Sequence, residues 1–193
     1  MVQTTRELRV KGEWPGHVKQ QMEAAMMLGD SWLAERADLS AKIIRSWIEA
    51  GILRVEVAGQ DEKRREGEIA AVLGKVAAKG VRQIEAIRAV AERFREELKE
   101  DMCPAATIDV IEAAREHRPA FVAIQIVRCQ GEPEAYEVNL FYKPDKEAAG
   151  RDMKAAEKEM RSVGQPNFLP CSIVDLTAAL AEDVRNRAKW PGE

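Results

Sequence analysis

The sequence predicts a mostly helical protein with a small α+β part at its C-terminal end. Three observations predict it. Apolar residues recur at three- and four-residue steps through the first half of the chain, the spacing of helices with one buried stripe. Phe121-Val122-Ala123-Ile124-Gln125-Ile126-Val127 is dense in β-branched residues, and Tyr136 to Tyr142 alternates after the turn residues Gln130-Gly131-Glu132-Pro133, which is the pattern of a hairpin. Helical spacing then returns and runs toward the C-terminus. The predicted plan has a helix-turn-helix domain over residues 15–59, connecting or dimerisation helices over 60–102 and an α+β domain over 103–193. In that plan a long connecting helix joins the two ends, and helices cover the hairpin.

In chain order, Met1 to Trp14 reads as irregular or strand-like. Pro15 opens a helix that carries Val18, Met22, Ala25 and Met26 inward and stops at Gly29. Asp30 or Ser31 caps a short helix with Leu33 and Ala34 inward. Asp38-Leu39 is a tight turn. Ser40 caps a second helix whose apolar face is Ile44, Trp47 and Ile48, and Gly51 closes it. Two short helices joined by a turn of this length make a helix-turn-helix. Ile52 to Val57 alternates as a short strand would.

Gln60 to Glu68 is a charged start to a helical region. Ile69, Val72, Leu73 and Val76 form one stripe, Gly80 interrupts it, and Ile84, Ile87, Ala91, Phe94 and Leu98 form a second. The second stripe fits either a short coiled-coil seam between two copies or an amphipathic helix on the chain's own body. Ala77, Gly80-Val81, Ile84 and Ile87 loosely imitate another helix-turn-helix, but a glycine that separates two helices explains them better. Thr107 caps a helix ending near His117. Asp145 caps a charged helix to about Val163. Gly164 to Pro170 is a loop, and Ser172 caps a last helix from Ile173 to Lys189 with Val174, Leu176, Leu180 and Val184 inward.

Within Trp32 to Leu53, Leu33-Ala34, Leu39-Ser40, Ile44-Arg45 and Gly51-Ile52-Leu53 fall into one register without a gap. On these residues the stretch resembles the helix-turn-helix of the MerR family, and more loosely that of the excisionases. Asp38 stands where that family has a turn glycine, Ser46-Trp47 replaces its paired tyrosines, and Arg54 to Gly59 replaces its arginine-bearing wing. The resemblance implies that the second helix reads double-stranded DNA. Ala41, Lys42, Arg45, Ser46 and Glu49 would face the groove, Arg45 reaching a guanine edge and Ser40 and Lys42 a phosphate. Arg36, Arg54 and Lys63-Arg64-Arg65 would add contacts to the sugar-phosphate chain. One such module binds weakly, so a homodimer is expected.

Composition limits the alternatives. The 193 residues carry a formal net charge of −3, so the molecule as a whole does not attract phosphate. Eight basic residues meet eight acidic ones through Gly59, ten meet eight from Gln60 to Lys99, and twelve meet seventeen from Glu100 onward. Nucleic acid, if bound, belongs to the first half. Cys103, Cys129 and Cys171 lack CxxC spacing and suit reduced thiols in a cytoplasm. No apolar leader or membrane-length run is evident.

No set of residues predicts chemistry. His17 and His117 have no ligand at metal spacing, and no P-loop, GxGxxG, HExxH or GxSxG occurs. The carboxylates sit in mixed-charge runs such as Glu92 to Glu97, which read as solvated faces. The expectation is a non-catalytic, cytoplasmic DNA-binding regulator, or a plasmid- or phage-type accessory factor, without cofactor or metal. A protein partner or small effector would engage the C-terminal part, and the edge of the hairpin is the expected pairing surface. A second reading is an adaptor whose Trp47 helix face docks a protein, and a third is an enzyme with its site in the α+β part.

Overall fold

The computed structural model describes residues 31–55, 59–98, 105–132, 134–164 and 166–180. The expected irregular stretch from Met1 to Trp14, the helix from Pro15 to Leu28, the cap at Asp30, Cys103 and Val184 lie outside them. Helix α1 covers residues 31–37, and α2 is Ala41–Glu49. Helix α3 is Gln60–Ala78, α4 is Ile84–Glu97 and α5 is Ala105–Arg115. The sheet and its helices follow as β1 (Phe121–Arg128), β2 (Tyr136–Lys143), α6 (Lys146–Val163), β3 (Asn167–Phe168), β4 (Ser172–Asp175) and α7 (Leu176–Leu180). The chain is mostly α with a small antiparallel sheet in its C-terminal part, as its sequence predicts.

Helix α3 is the axis of the helical half. From Glu66 to Gly74 every residue is buried, so α3 is enclosed on all sides rather than along one stripe. Glycines at 67 and 74, with Ala70 and Ala71 between, let its neighbours come close. An added Cβ at Gly74 would lie 1.9 Å from the carbonyl oxygen of Ala37 at the end of α1, and one at Gly67 would lie 2.7 Å from the Trp32 ring. Gly80, at φ 94°, ends the helix and turns the chain back, so two helices packed on each other stand where one long connecting helix is expected. The second stripe is spent inside the chain. Ile87, Ala91, Phe94 and Leu98 are at most 3 % exposed, and Ile84 stands out at 38 %.

Strand β1 is central. It pairs antiparallel with β2 along its whole length on one side. On the other side it pairs with β4 over Phe121–Ile124 and with β3 over Val127–Arg128. Phe168 faces Val127 and Ser172 faces Ile124, so Leu169, Pro170 and Cys171 oppose only two residues of β1. That is a bulge of one residue, placed where Pro170 has no N–H to give.

Here the structure departs from the sequence reading. Asn167–Phe168 and Ser172–Asp175 are strand, not loop and helix start, and Ser172 caps nothing. Ile173, Val174, Leu176 and Leu180 fit helical spacing. Yet Ile173 packs toward α6 while Val174 joins the opposite face, which is the alternation of a strand. The last helix begins at Leu176, and α5 begins at Ala105, ahead of Thr107. His117 ends α5 in the left-handed conformation (φ 59°), with its N–H on Ala114 and that of Arg118 on Ala113.

The sheet separates two layers. Val122, Ile124, Ile126, Val138 and Val174 face α4, α5 and α7, and the Phe94 and Tyr142 rings stack at 6.4 Å. Helix α6 covers the other face through Ala149 and Met153, against Ala123, Phe121, Phe141 and Ile173. Its start is the expected one, since the Asp145 carboxylate accepts from the N–H groups of Glu147 and Ala148. Gln125 is fully buried beneath α6 and is satisfied there. Its amide donates to the Met153 carbonyl and its oxygen accepts from Asn139. A single apolar cluster runs from Leu33 and Trp47 through α3 and α4 to the sheet.

Candidate nucleic-acid interface

Helices α1 and α2 are joined by Asp38, Leu39 and Ser40. The N–H of Asp38 donates to Glu35 and that of Leu39 to Ala34, which turns the chain off the end of α1. Asp38 adopts φ 54°, the left-handed region where an aspartate is tolerated and a β-branched residue is not. We therefore expect Asp38→Val to lower stability by about 1–2 kcal/mol, with Asp38→Gly close to wild type; urea denaturation of both checks this. Ser40 sits at the N-cap with extended backbone, and its carbonyl accepts from Ile43 and Ile44. Its hydroxyl makes no capping bond, contrary to expectation. Gly51 closes α2 at φ 71°, with its N–H on Ile48 and that of Ile52 on Trp47.

Helix α2 is two-sided. Ile44 and Trp47 are buried beneath it, followed at once by Ile52 and Leu53. Ser40, Ala41, Lys42, Ile43, Arg45, Ser46 and Glu49 are exposed. The Ser46 hydroxyl donates to the Ile43 carbonyl, so it stays close to the helix surface. Ile43, at 40 % exposure, places an apolar side chain among these polar ones.

The far end of α2 is held by two arginines of α4. Arg88 donates to the Ala50 carbonyl at 3.1 Å, and Arg95 to the Ile52 carbonyl at 2.9 Å. Arg95 also makes a two-point contact with Glu66 of α3, at 2.9 and 3.1 Å, and Glu66 accepts the N–H of Arg54 at 3.0 Å. Beside it, Arg115 of α5 meets the fully buried Glu68 in the same two-point way, both at 3.1 Å. Helix α2 is thus fixed to the body by charge-assisted bonds at its C-terminal end and by apolar packing along its length.

Not every expected contact residue lies with this group. Arg36 is half-buried, and its guanidinium donates to the Ala179 carbonyl of α7. It ties the two ends of the fold together instead of facing outward. Arg54 is exposed, but Ile52 to Val55 bends rather than forming the expected strand. The reason is that Ile52 and Leu53 are both buried, which no alternating strand with one wet face allows. Lys63, Arg64 and Arg65 are half-buried, with Arg64 3.4 Å from Asp61. Trp47, expected as a docking face, is 5 % exposed and filled against by the chain itself.

Sequence reasoning missed Arg88, Arg95 and Arg115, whose charge patterns resemble solvated helix faces. The run from Glu92 to Glu97 is not wholly solvated, since the Arg95 side chain is 13 % exposed. It also missed Gly67 and Gly74. Two glycines seven apart within a helical stripe were the available signal, because glycine weakens a helix unless a neighbour needs the space.

Among the described residues no group of three or more His, Cys, Asp or Glu is arranged to hold a metal, and no helix is long and apolar enough to cross a membrane. Burial, with Glu157 nearby, raises the Cys171 thiol above its ordinary range and keeps it protonated. No protein-family model matches the chain, and comparison with curated proteins and with solved structures gives no significant match.

Proposed function

We propose that the chain binds double-stranded DNA through α2, as a cytoplasmic, non-catalytic homodimer acting as a transcriptional regulator or a plasmid- or phage-type accessory factor. The observation that carries this reading is the two-sidedness of α2 as the second helix of a tight helix-turn-helix. Its apolar side is committed to the interior, while Ser40, Lys42, Arg45 and Ser46 share the exposed side. A MerR-like reader uses the corresponding positions. Lys42 and Ser40 meet phosphate, and Arg45 meets a base edge. Arg36 leaves the set of contacts, since its guanidinium serves the Ala179 carbonyl. Arg54 remains in it as a backbone contact.

The test is fluorescence anisotropy with random-sequence duplex over a range of salt. Binding should weaken steadily as salt rises, and Lys42→Ala should reduce the salt slope by about 1. On a site selected from random duplex, Arg45→Ala should cost about 1–3 kcal/mol and relax the preference at one position. A folded chain that leaves duplex DNA unbound at low salt overturns the proposal.

A further inference from the structure

The two edges of the sheet differ. On the β3–β4 side the strand is broken by the bulge at Pro170. On the other side β2 runs unbroken for eight residues, and among the described residues no strand lies beyond it. Edge strands are ordinarily blunted by an interior charge, a proline or a bulge. Between Glu137 and Lys143 β2 has none of these, only Val138-Asn139-Leu140-Phe141-Tyr142. Within β1 the six residues Val122 to Val127 are buried, whereas Leu140, Phe141 and Tyr142 of β2 are half-exposed.

The hydrogen bonds say which residues address the open side. Cys129 donates to the Ala135 carbonyl, opposite it at the hairpin end, while the Ile126 and Ala120 carbonyls accept from Leu169 and Leu176 on the other flank. Odd-numbered residues of β1 therefore bond toward β2. In an antiparallel pair the odd-numbered partners in β2 bond back. Val138 and Leu140 direct their N–H and C=O groups away from β1.

The geometry points to a second copy of this chain as the occupant of the edge, its β2 antiparallel to the first, with Leu140 opposite Leu140 of the other copy. This register follows from charge. Two-fold pairing through the outward groups must place even-numbered residues opposite even-numbered ones. Centring it on Leu140 sets Val138 against Tyr142, Asn139 against Phe141 and Glu137 against Lys143, on both sides of the axis. The Glu137–Lys143 pair falls at a position without ladder bonds, where side chains stand closest. A one-step shift that centres on Asn139 sets Glu137 against Phe141 and loses the match. Lys143 already meets Asp152 of α6 at 2.8 Å and would stand between two carboxylates. Pro144, without an N–H, ends the run. The interface supplies the pairing that the DNA reading asks for, but nothing in it depends on DNA.

The test is light scattering on the full chain and on Glu137→Lys and Lys143→Glu variants. Wild type should be a dimer. Each variant alone sets like charges opposite each other at two symmetric places and should dimerise about tenfold more weakly. Mixing the two variants restores opposite charges at both places and should recover the dimer as a heterodimer. No general loss of folding mimics that recovery. The backbone N–H groups of Val138 and Leu140 should exchange slowly with solvent in the wild type and faster in either variant. A wild-type chain that stays monomeric across its soluble range overturns the proposal. So does a dimer that both variants leave intact, or a mixture that dimerises no better than its parts.

Discussion

Gly74→Ala is expected to destabilise the protein by about 3 kcal/mol or more, although in an isolated helix the same change gains about 0.8–1.0 kcal/mol. The sign reverses because the new methyl would meet the Ala37 carbonyl oxygen at 1.9 Å. That neighbour is backbone, so no rotamer change relieves the clash. Helix α1 must move as a unit, dragging the turn at Asp38 and loosening Leu33 and Ala37 from the interior. Gly67→Ala meets the half-exposed Trp32 ring at 2.7 Å, which can swing aside, and should cost less. Gly164→Ala meets nothing within 4 Å and should lie near wild type. Urea denaturation of the three variants gives the order, and a Gly74→Ala protein as stable as its parent would refute the close approach of α1 to α3.

The second large effect belongs to Glu66. The residue is 4 % exposed, and its carboxylate meets Arg95 at two points and accepts the Arg54 N–H. Glu66→Ala strands a guanidinium and a backbone donor in a region with little water. Removing one partner of such a pair costs about 3–5 kcal/mol. The damage should also reach α2, because Arg95 holds the Ile52 carbonyl just beyond it. Replacing Glu66 and Arg95 together by methionine should be milder than Glu66→Ala, since neither charge is left alone. Thermal or urea unfolding of both variants decides this. If the double variant is the worse of the two, the pair's strength outweighs its desolvation, contrary to our expectation.

Much of this fold could be read locally. The turn at Asp38 to Ser40 and the stop at Gly51 are written in residues a few positions apart, and so is the Asp145 cap. The hairpin is legible because Val122 to Val127 and Tyr136 to Tyr142 carry strand chemistry on adjacent runs. Strand β4 is not legible, because what makes Ser172–Asp175 extended is β1, some fifty residues earlier in the chain. Ile173 and Val174, together with Leu176 and Leu180 of the helix that follows, satisfy a helical period equally well. The same distance problem separates exposed arginines from structural ones. Arg45 and Arg36 look alike in sequence, and only the fold brings the Ala179 carbonyl to the second. Arg95 and Arg115 read as surface charge until α3 delivers Glu66 and Glu68 to them.

The broken strand at Pro170 has a consequence for how far assembly can go. A sheet receptive on both flanks can add copies without end, head to tail, and such growth makes fibres. Here one flank is kinked and short of a donor, and the chain leaves it at Leu176 for a helix. Joining through the opposite flank would use up the one unbroken edge that the sheet has among the described residues. A particle joined in the proposed way would close at two subunits.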